Sequence, residues 1–306
     1  MSRLSHRRPI QSRRRPARAL TVADAIALVQ ARFRRARLHY GHGTANAADE
    51  AAALVWHVMR FPYPAKPGHY RRTVPSVRLR RIESLAMLRI DERLPLPYLT
   101  GTAWFAGLPF AVDPRVLIPR SPLAELIEER FQPWFADREP RRLLDLGTGS
   151  GCIACAAARF LPDLRVDAVD VSRDALKVAA GNVRRHRLTR RVKLFEGSYF
   201  SPLGRRRYDI IISNPPYVSS GELRGLPAEF RHEPRLALAA GVRGLDAVRV
   251  ILQKARQHLR PRGLLIVEVG NSQRAVEREW PRLPFLWLEF ERGGGGVFML
   301  NAEQLN

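Results

Sequence analysis

The stretch LLDLGTGSGCIA, residues 143–154, predicts the fold of the region around it. An apolar run ends at Asp145, a glycine-rich turn follows, and a segment of small residues begins at Cys152. Glycine lets a backbone turn tightly and approach a ligand where a Cβ would clash. This order indicates a strand, a ligand-binding turn and a helix. The turn contains three glycines, Gly147, Gly149 and Gly151.

Short apolar segments recur on both sides of this turn and alternate with stretches of helical periodicity. Such alternation is typical of a parallel sheet with helices on both faces. We therefore expect an α/β fold with a doubly wound, mostly parallel, Rossmann-like sheet. Two further segments, FLWLEF and VFMLN, flank the glycines at 293–296 and predict a closing pair of strands. The segments expected as parallel strands are RLLDLG, RVDAVDV, VKLFEG, YDIIISN and GLLIVEVG.

Acidic residues close the first two of these strands. Asp145 can meet a cationic amine, directly or through water, and Asp170 suits a pair of ribose hydroxyls. The D-x-G-x-G-x-G motif is close to the dinucleotide fingerprint. An amine and a ribose diol without a pyrophosphate nevertheless describe S-adenosylmethionine better than NAD. The cofactor contacts expected here are Asp145, Gly147, Thr148, Gly149, Gly151, Asp170 and Val171.

The stretch IISNPPYVSS, residues 211–220, predicts a second half of the site. Its prolines lack backbone donors and end the strand abruptly. Ligands bind at the carboxyl ends of strands in such sheets, so Asn214 lies beside the cofactor turn and also contacts the cofactor. The Asn214 side chain and the Pro215 carbonyl offer two acceptors that suit a planar NH₂ group, and Pro216 stiffens the loop. Tyr217 offers a ring for stacking, which makes Asn214, Pro215 and Tyr217 the expected catalytic residues.

The rest of the chain divides by composition into four expected regions. Residues 1–19 form an Arg-rich tail, and residues 20–100 form a helical substrate-recognition domain that begins with a capping box at Thr21. Residues 101–119 are expected as a hairpin linker, and residues 120–306 as the cofactor-binding domain. The tail has three open interpretations: a disordered segment that touches RNA, an organellar transit peptide, or an overextended start.

Composition restricts the class of protein. The net charge of +23, from 52 basic and 29 acidic residues, predicts attraction to polyanions such as RNA. The two cysteines, Cys152 and Cys155, indicate a reducing, cytoplasmic setting, and we expect small packing residues rather than a metal or redox pair. No segment has the length of an apolar membrane span, and no secretory signal is present.

The motifs D-L-G-T-G-S-G and N-P-P-Y resemble those of class I methyltransferases that modify planar NH₂ groups. From about residue 20 onward, the chain resembles the HemK-type glutamine methyltransferases. This resemblance implies methyl transfer from S-adenosylmethionine to the side-chain amide nitrogen of a protein glutamine. It adds the interdomain residues Arg120 and Glu125 to a substrate-binding set that contains Asn214, Pro215, Pro216 and Tyr217. It also implies a cofactor contact at Ser198, where the family usually carries an acid that binds the adenine amine.

Two substrates are common in that family: a peptide-release factor and large-subunit ribosomal protein L-three. The stretches PYLTGTAWFAGLPFAVD, IPRSPLAELI and WLEFERGGGGVFML resemble the enzymes that act on L-three. Release-factor enzymes carry an acidic segment where this chain has RSPLAE. The expected partner is therefore L-three, met inside an assembling large subunit because the enzyme is itself basic, with the release factor as the alternative.

Two other classes of function remain open at this stage. A DNA or RNA adenine methyltransferase also uses N-P-P-Y, but no inserted target-recognition domain separates the motifs, and base flipping needs an extensive basic groove. A non-enzymatic RNA-binding module would use the positive charge and would not bind S-adenosylmethionine.

Overall fold

The computed structural model describes residues 19–305, so the predicted tail lies outside the described residues except for residue 19. The capping box expected at Thr21 is formed: Thr21 Oγ1 accepts a hydrogen bond from the Asp24 N–H at 3.2 Å, and Asp24 accepts one from the Thr21 N–H at 2.9 Å. Buried apolar side chains join the first helices into a core of their own. These helices are α1 (Val22–Arg35), α2 (Ala47–Met59), α3 (Ser76–Asp91) and α4 (Leu96–Thr100).

A two-stranded antiparallel hairpin follows, with β1 (Thr102–Phe105) and β2 (Leu108–Ala111). The hairpin is shorter than the linker expected from the sequence, since residues 112–119 form no strand. Proline provides no backbone donor, so Pro114 and Pro119 limit ladder pairing there. The assignment of this segment as a linker between two domains stays a prediction.

The main sheet has seven strands in the order β5-β4-β3-β6-β7-β9-β8. The first five of these are parallel, and β9 runs antiparallel to both of its neighbours, which confirms the predicted α/β class and the closing strand pair. The strands are β3 (Arg142–Leu146), β4 (Arg165–Asp170), β5 (Val192–Glu196), β6 (Tyr208–Ser213), β7 (Leu259–Glu268), β8 (Leu286–Leu288) and β9 (Val297–Asn301).

Both faces of this sheet are covered. Side chains alternate along a strand, so Ile210 and Ile212 pack into the core beside α6 (Cys152–Phe160), whereas Ile211 packs into the core beside α10 (Asp246–His258). No helix of the described residues is long and apolar enough to cross a membrane. The remaining helices are α5 (Leu123–Glu128), α6 (Cys152–Phe160), α7 (Arg173–Arg185), α8 (Ser220–Gly225), α9 (Arg235–Leu238), α10 (Asp246–His258) and α11 (Gln273–Glu279), with 3₁₀ turns at Pro67–Arg71, Ala228–His232, Gly270–Ser272 and Ala302–Gln304.

A buried ion-pair cluster holds the N-terminal helices against the loop that follows N-P-P-Y. Arg89 of α3 is fully buried and donates from Nε to Glu50 of α2 at 2.7 Å and from Nη1 to Glu229 at 3.3 Å. Its Nη2 donates to the carbonyl of His39 at 2.8 Å, so every arm of the guanidinium is engaged. The helical part of the chain is therefore anchored close to the strand ends that carry the site.

Candidate functional site

The strand order reverses between β3 and β6, and the glycine turn and N-P-P-Y follow these two adjacent strands. Ligands bind at such a switch point in open α/β sheets. Two cavities open there. The first has a volume of about 200 Å³, and the second, which is wider, about 840 Å³.

The glycine turn forms one wall of the first cavity through Gly147 and Gly149. The Gly149 N–H donates to Asp170 Oδ2 at 2.8 Å, which fixes the turn to the end of β4. Gly151 lies behind this wall with φ of +77°, and a Cβ there would lie 3.2 Å from the Ala179 Cβ. The sequence therefore needs glycine at residue 151 both for backbone conformation and for packing of α6 against α7.

Asp145 lies behind the turn and is fully buried. Its Oδ2 accepts hydrogen bonds from Thr148 Oγ1 at 2.6 Å and from the Ala154 N–H at 3.2 Å. Its Oδ1 has no hydrogen-bond partner among the described residues. Burial raises the pKa of Asp145 to about 7. An orphaned carboxylate oxygen of this kind fits the cationic amine of S-adenosylmethionine, reached through water because Asp145 is not part of the cavity wall.

Asp170 lines the first cavity and is positioned by backbone donors. Besides Gly149, the Ser172 N–H donates to Oδ1 at 2.8 Å. Burial raises the pKa of Asp170, and backbone hydrogen bonds from Ser172, Gly149 and Val171 act in the opposite direction. Each carboxylate oxygen keeps a further lone pair for a ribose hydroxyl.

Further side chains complete the first cavity. The expected cofactor residues Val171, Ser198 and Asn214 all lie in its wall, and so does Pro216. Thr148 does not, because its hydroxyl is turned to Asp145. Other wall residues were not predicted from the sequence and come from the segment after β2, the loop after β5 and the segment around α9: Arg115, Val116, Leu117, Tyr199, Leu236 and Ala237.

Asn214 lines both cavities and so stands at their boundary. Its side chain and the Pro215 carbonyl have no hydrogen-bond donor among residues 19–305. Pro215 itself is buried and lies outside both cavity walls. Two acceptors without a donor among these residues therefore lie at the tip of β6, and their use by an NH₂ group stays a prediction.

Tyr217 lines the second cavity, with one side of its ring covered by backbone. A Cβ added to Gly270 would lie 2.7 Å from the ring. The Tyr217 hydroxyl donates to Glu268 Oε1 at 3.4 Å, and burial, followed by the charge of Glu268, raises the pKa of Tyr217. The ring therefore packs against Gly270 on one side and borders the second cavity.

The predicted substrate residues Arg120 and Glu125 have different surroundings. Arg120 lines the second cavity, with its guanidinium 5.2 Å from the centre of the Phe230 ring. Glu125 lies in neither wall. It accepts hydrogen bonds from the N–H groups of Glu291 at 2.8 Å and Arg292 at 3.1 Å, so it holds the start of the loop that continues into the tetraglycine segment.

The cysteines take no part in either cavity wall. Both are free and buried, and burial raises the pKa of Cys152 to about 12. A thiol of this kind stays protonated and packs as a small apolar group. Within residues 19–305, no group of three or more metal-ligating side chains is assembled.

Glu268 is the polar residue of the site that the sequence analysis missed. It ends β7, lies in the wall of the second cavity and is 5% exposed. Tyr217 and Ser121 donate to its two oxygens. The signal was present in GLLIVEVG, where a single acid closes an otherwise apolar strand. This signal points to the site only when the strand is known to pair with the strand before N-P-P-Y.

Comparisons with known proteins identify the family of the chain. The profile of the methyltransferase small domain family matches residues 127–230. The ribosomal protein uL3 glutamine methyltransferase of Xanthomonas campestris pv. campestris is 45% identical over 285 residues, covering 93% of this chain and 92% of the relative. The enzyme of the same name from Xylella fastidiosa strain Temecula1 is 44% identical, with 93% and 91% covered.

Among solved structures, the hMettl16 catalytic domain in complex with the MAT2A 3′UTR hairpin 6 has a TM-score of 0.50 and 19% identity, covering 73% of this chain and 81% of that chain. A likeness at this identity shows the methyltransferase fold alone. The identity to the bacterial relatives over almost the whole chain is decisive: the chain belongs to the family of ribosomal protein uL3 glutamine methyltransferases.

Proposed function

We propose that this protein transfers a methyl group from S-adenosylmethionine to the side-chain amide nitrogen of a glutamine in ribosomal protein uL3. The observation that carries the proposal is the position of Asn214, which lines both the glycine-turn cavity and the wide polar cavity. An NH₂ group held by Asn214 faces the first cavity from the second. The names of the close relatives supply the substrate.

The first cavity would hold the methyl donor. Asp170 would bind the ribose hydroxyls, Asp145 would neutralise the amine through water, and Ser198 with Tyr199 would border the adenine. The bound donor would supply an electrophilic sulfonium methyl group.

The second cavity would hold the glutamine side chain. An amide nitrogen is a poor nucleophile because its lone pair is delocalised. Two acceptors, Asn214 Oδ1 and the Pro215 carbonyl, would fix both N–H bonds and direct the nitrogen towards the methyl carbon, while Tyr217 would cover the plane of the amide. Positioning of reacting groups contributes up to about 7–11 kcal/mol in favourable model reactions.

The test is mass spectrometry of intact proteins and peptides after incubation with S-adenosylmethionine and either unmethylated uL3 or an unmethylated release factor. We expect one methyl group on a glutamine of uL3 alone. For Asn214→Ala, turnover should fall by about 10²–10³, the scale for a lost preorganised polar contact, while donor binding is kept. Methylation of the release factor alone would contradict the proposed substrate, and near-normal turnover of Asn214→Ala would contradict the mechanism.

We also propose that the enzyme contacts RNA and meets uL3 in an assembling large subunit, in the cytoplasm. Five arginines surround a broad opening of about 740 Å³ at the edge of the sheet opposite the site, where β3, β6 and β7 begin. Asp167 and Asp209 hold three of the guanidinium groups at 3.2–3.9 Å, which limits their freedom. A fixed cationic surface suits phosphates. The five are Arg142, Arg205, Arg206, Arg207 and Arg260.

The RNA contact is tested by measuring binding to a short mixed-sequence RNA over a range of salt concentrations. Arg205 and Arg207 are exposed, and no carboxylate lies within ion-pair distance of either among residues 19–305. Replacing both with alanine should reduce the salt slope by about 1.4–1.8, since each lost phosphate contact removes about 0.7–0.9. The control removes the exposed Arg184 and Arg185 of α7. If both pairs of substitutions reduced the salt slope equally, the attraction to RNA would be non-specific. That result would contradict the proposed RNA contact at this surface.

A further inference from the structure

Asn214 and Glu268 lie side by side at the carboxyl ends of β6 and β7. Strand β6 pairs with β7 in parallel, and the register places Ser213 opposite Val267. Asn214 follows Ser213 and Glu268 follows Val267, so the two residues are neighbours. Both line the second cavity. A carboxyl group thus lies beside the residue proposed to hold the substrate amide.

The surroundings of Glu268 leave its charge uncompensated. Tyr217 and Ser121 donate hydrogen bonds to its oxygens. No basic group among the described residues lies within ion-pair distance of it, in contrast to Glu233, which Arg120 contacts at 2.6 Å. Burial raises the pKa of Glu268 to about 7. The hydrogen bonds from Ser121 and Tyr217 and the charge of Arg120 lower this pKa, but each has a smaller effect than burial. The titratable groups facing it are Tyr217 from the N-P-P-Y loop, Arg120 from the preceding segment, and Arg274 and Glu277 of α11 on the same cavity wall.

We propose that Glu268 accepts the proton that the glutamine amide loses during methyl transfer. In this step a bond forms between the amide nitrogen and the methyl carbon. The bond between that carbon and the sulfonium sulfur breaks, and its electron pair stays on the sulfur. One N–H bond of the amide breaks, its electron pair remains on nitrogen, and the proton passes to a Glu268 oxygen. The product is a neutral secondary amide beside a carboxylic acid.

Two features of the structure favour Glu268 over the other acids nearby. Glu233 is committed to Arg120 and to the backbone N–H of Ile118, and it lies outside both cavity walls. Glu277 is exposed on α11 and accepts a hydrogen bond from Gln273. Glu268 is the buried acid of the second cavity wall within residues 19–305, and Ser121 and Tyr217 orient its oxygens.

This inference rests on the proposed amide methylation, and the test keeps the two separable. The experiment measures kcat and KM for a uL3 substrate between pH 5.5 and 9 in the wild type, Glu268→Gln and Glu268→Asp. In the wild type, kcat should rise with pH and level off above the pKa of the carboxyl group. Glu268→Gln should lose about 10²-fold in kcat at pH 8, the lower end for general acid–base groups, keep KM within about threefold and lose the acid limb. Glu268→Asp should restore part of kcat together with that limb.

A second measurement does not depend on turnover. Infrared titration of the protein should show a buried carboxyl band that disappears near neutral pH in the wild type and is reduced in Glu268→Gln, where Asp145 still contributes. Glu139→Gln, an exposed acid away from both cavities, is the matched control and should leave both profiles unchanged. A wild type that does not methylate glutamine would overturn the proposed function. If the wild type is active and Glu268→Gln has the same pH profile and kcat, the proposed role of Glu268 is overturned and the proposed function is not.

Discussion

Arg120 and Glu233 form a two-pronged ion pair, with Nη1 2.6 Å from Oε1 and Nη2 2.8 Å from Oε2. His42, from the loop between α1 and α2, lies with Nε2 3.4 Å from Oε2 of the same carboxylate. The pair therefore joins the helical part of the chain, the segment before α5 and the loop after N-P-P-Y. The guanidinium predicted to bind substrate also holds the cavity wall in place.

The first prediction concerns this pair. Arg120→Ala should lower the free energy of unfolding at pH 7 by about 3 kcal/mol, because it leaves the buried Glu233 carboxylate without its main partner. Burial alone would raise the pKa of Glu233, but His42 and Arg120 lower it to about 2. The contribution is therefore complete above about pH 4.5 and is lost as the pH falls towards 2. Urea unfolding at pH 7 and at pH 2.5 measures both values.

The control for Arg120 is Arg115→Ala, which removes an exposed pair with Asp113. Such pairs contribute about 0–1 kcal/mol, so its unfolding curve should shift little at either pH. Equal losses in the two variants, or a loss in Arg120→Ala that persists unchanged at pH 2.5, would contradict the anchoring role of the Glu233 pair.

The second prediction concerns donor binding at Asp170. Hydrogen bonds to a charged acceptor contribute about 1.5–3 kcal/mol, so Asp170→Ala should weaken S-adenosylmethionine binding by about 10–100-fold in calorimetry. The matched variant is Asp174→Ala, since Asp174 lies on the following helix, is exposed and pairs with Lys177 at 2.8 Å. Its donor affinity should equal that of the wild type. Unchanged affinity in Asp170→Ala would rule out the ribose contact.

The third prediction uses the glycine that covers Tyr217. Gly270 has φ of +46°, and a Cβ there would lie 2.7 Å from the tyrosine ring. Gly270→Ala should displace the ring and lower kcat by about tenfold or more, because small displacements of groups at a reacting centre lower the rate strongly. Gly181→Ala, within α7 and with open space around the added Cβ, should leave kcat unchanged. A kcat for Gly270→Ala equal to that of Gly181→Ala would show that the ring position is unimportant.

Local patterns in the sequence were enough to predict the strands, the glycine turn and the loop after β6. Asp145 and Asp170 could be placed because each lies at the carboxyl end of its own apolar strand beside the same turn. Asn214 could be placed because prolines mark the end of β6. In each of these cases, the residues that define the geometry are neighbours in the chain.

Contacts between distant segments could not be predicted in this way. Glu125 was expected as a substrate residue because the family resemblance places it in the interdomain segment, yet its partners are the N–H groups of Glu291 and Arg292. Glu268 became a candidate once the pairing of β6 with β7 was known. The role of Arg120 likewise depends on Glu233, more than a hundred residues further along. Sheet register and loop docking decide such contacts, and neither is a local property of the sequence.

The fourth prediction concerns the buried carboxyl group of Asp145, whose pKa rises from 3.8 to about 7 because of burial. The unfolded chain releases this proton above about pH 4, whereas the folded protein keeps it until about pH 7. Folding stability therefore falls as the pH rises through this interval, by at most about 1.4 kcal/mol per pH unit. Asp145→Asn carries no such proton, and its oxygen can still accept from Thr148 and Ala154.

Relative to the wild type, Asp145→Asn should therefore be more stable at pH 8 than at pH 5, by several kcal/mol at most, in urea unfolding without donor. Donor binding should show the opposite preference, because a cationic amine favours the ionised carboxyl group. S-adenosylmethionine affinity of the wild type should rise between pH 6 and pH 8, and that of Asp145→Asn should stay low and flat. Glu268 is present in both proteins, so its own titration cancels in the comparison. If the two proteins had parallel pH profiles of stability and of donor affinity, Asp145 would neither bind this proton in the folded state nor contribute to donor binding.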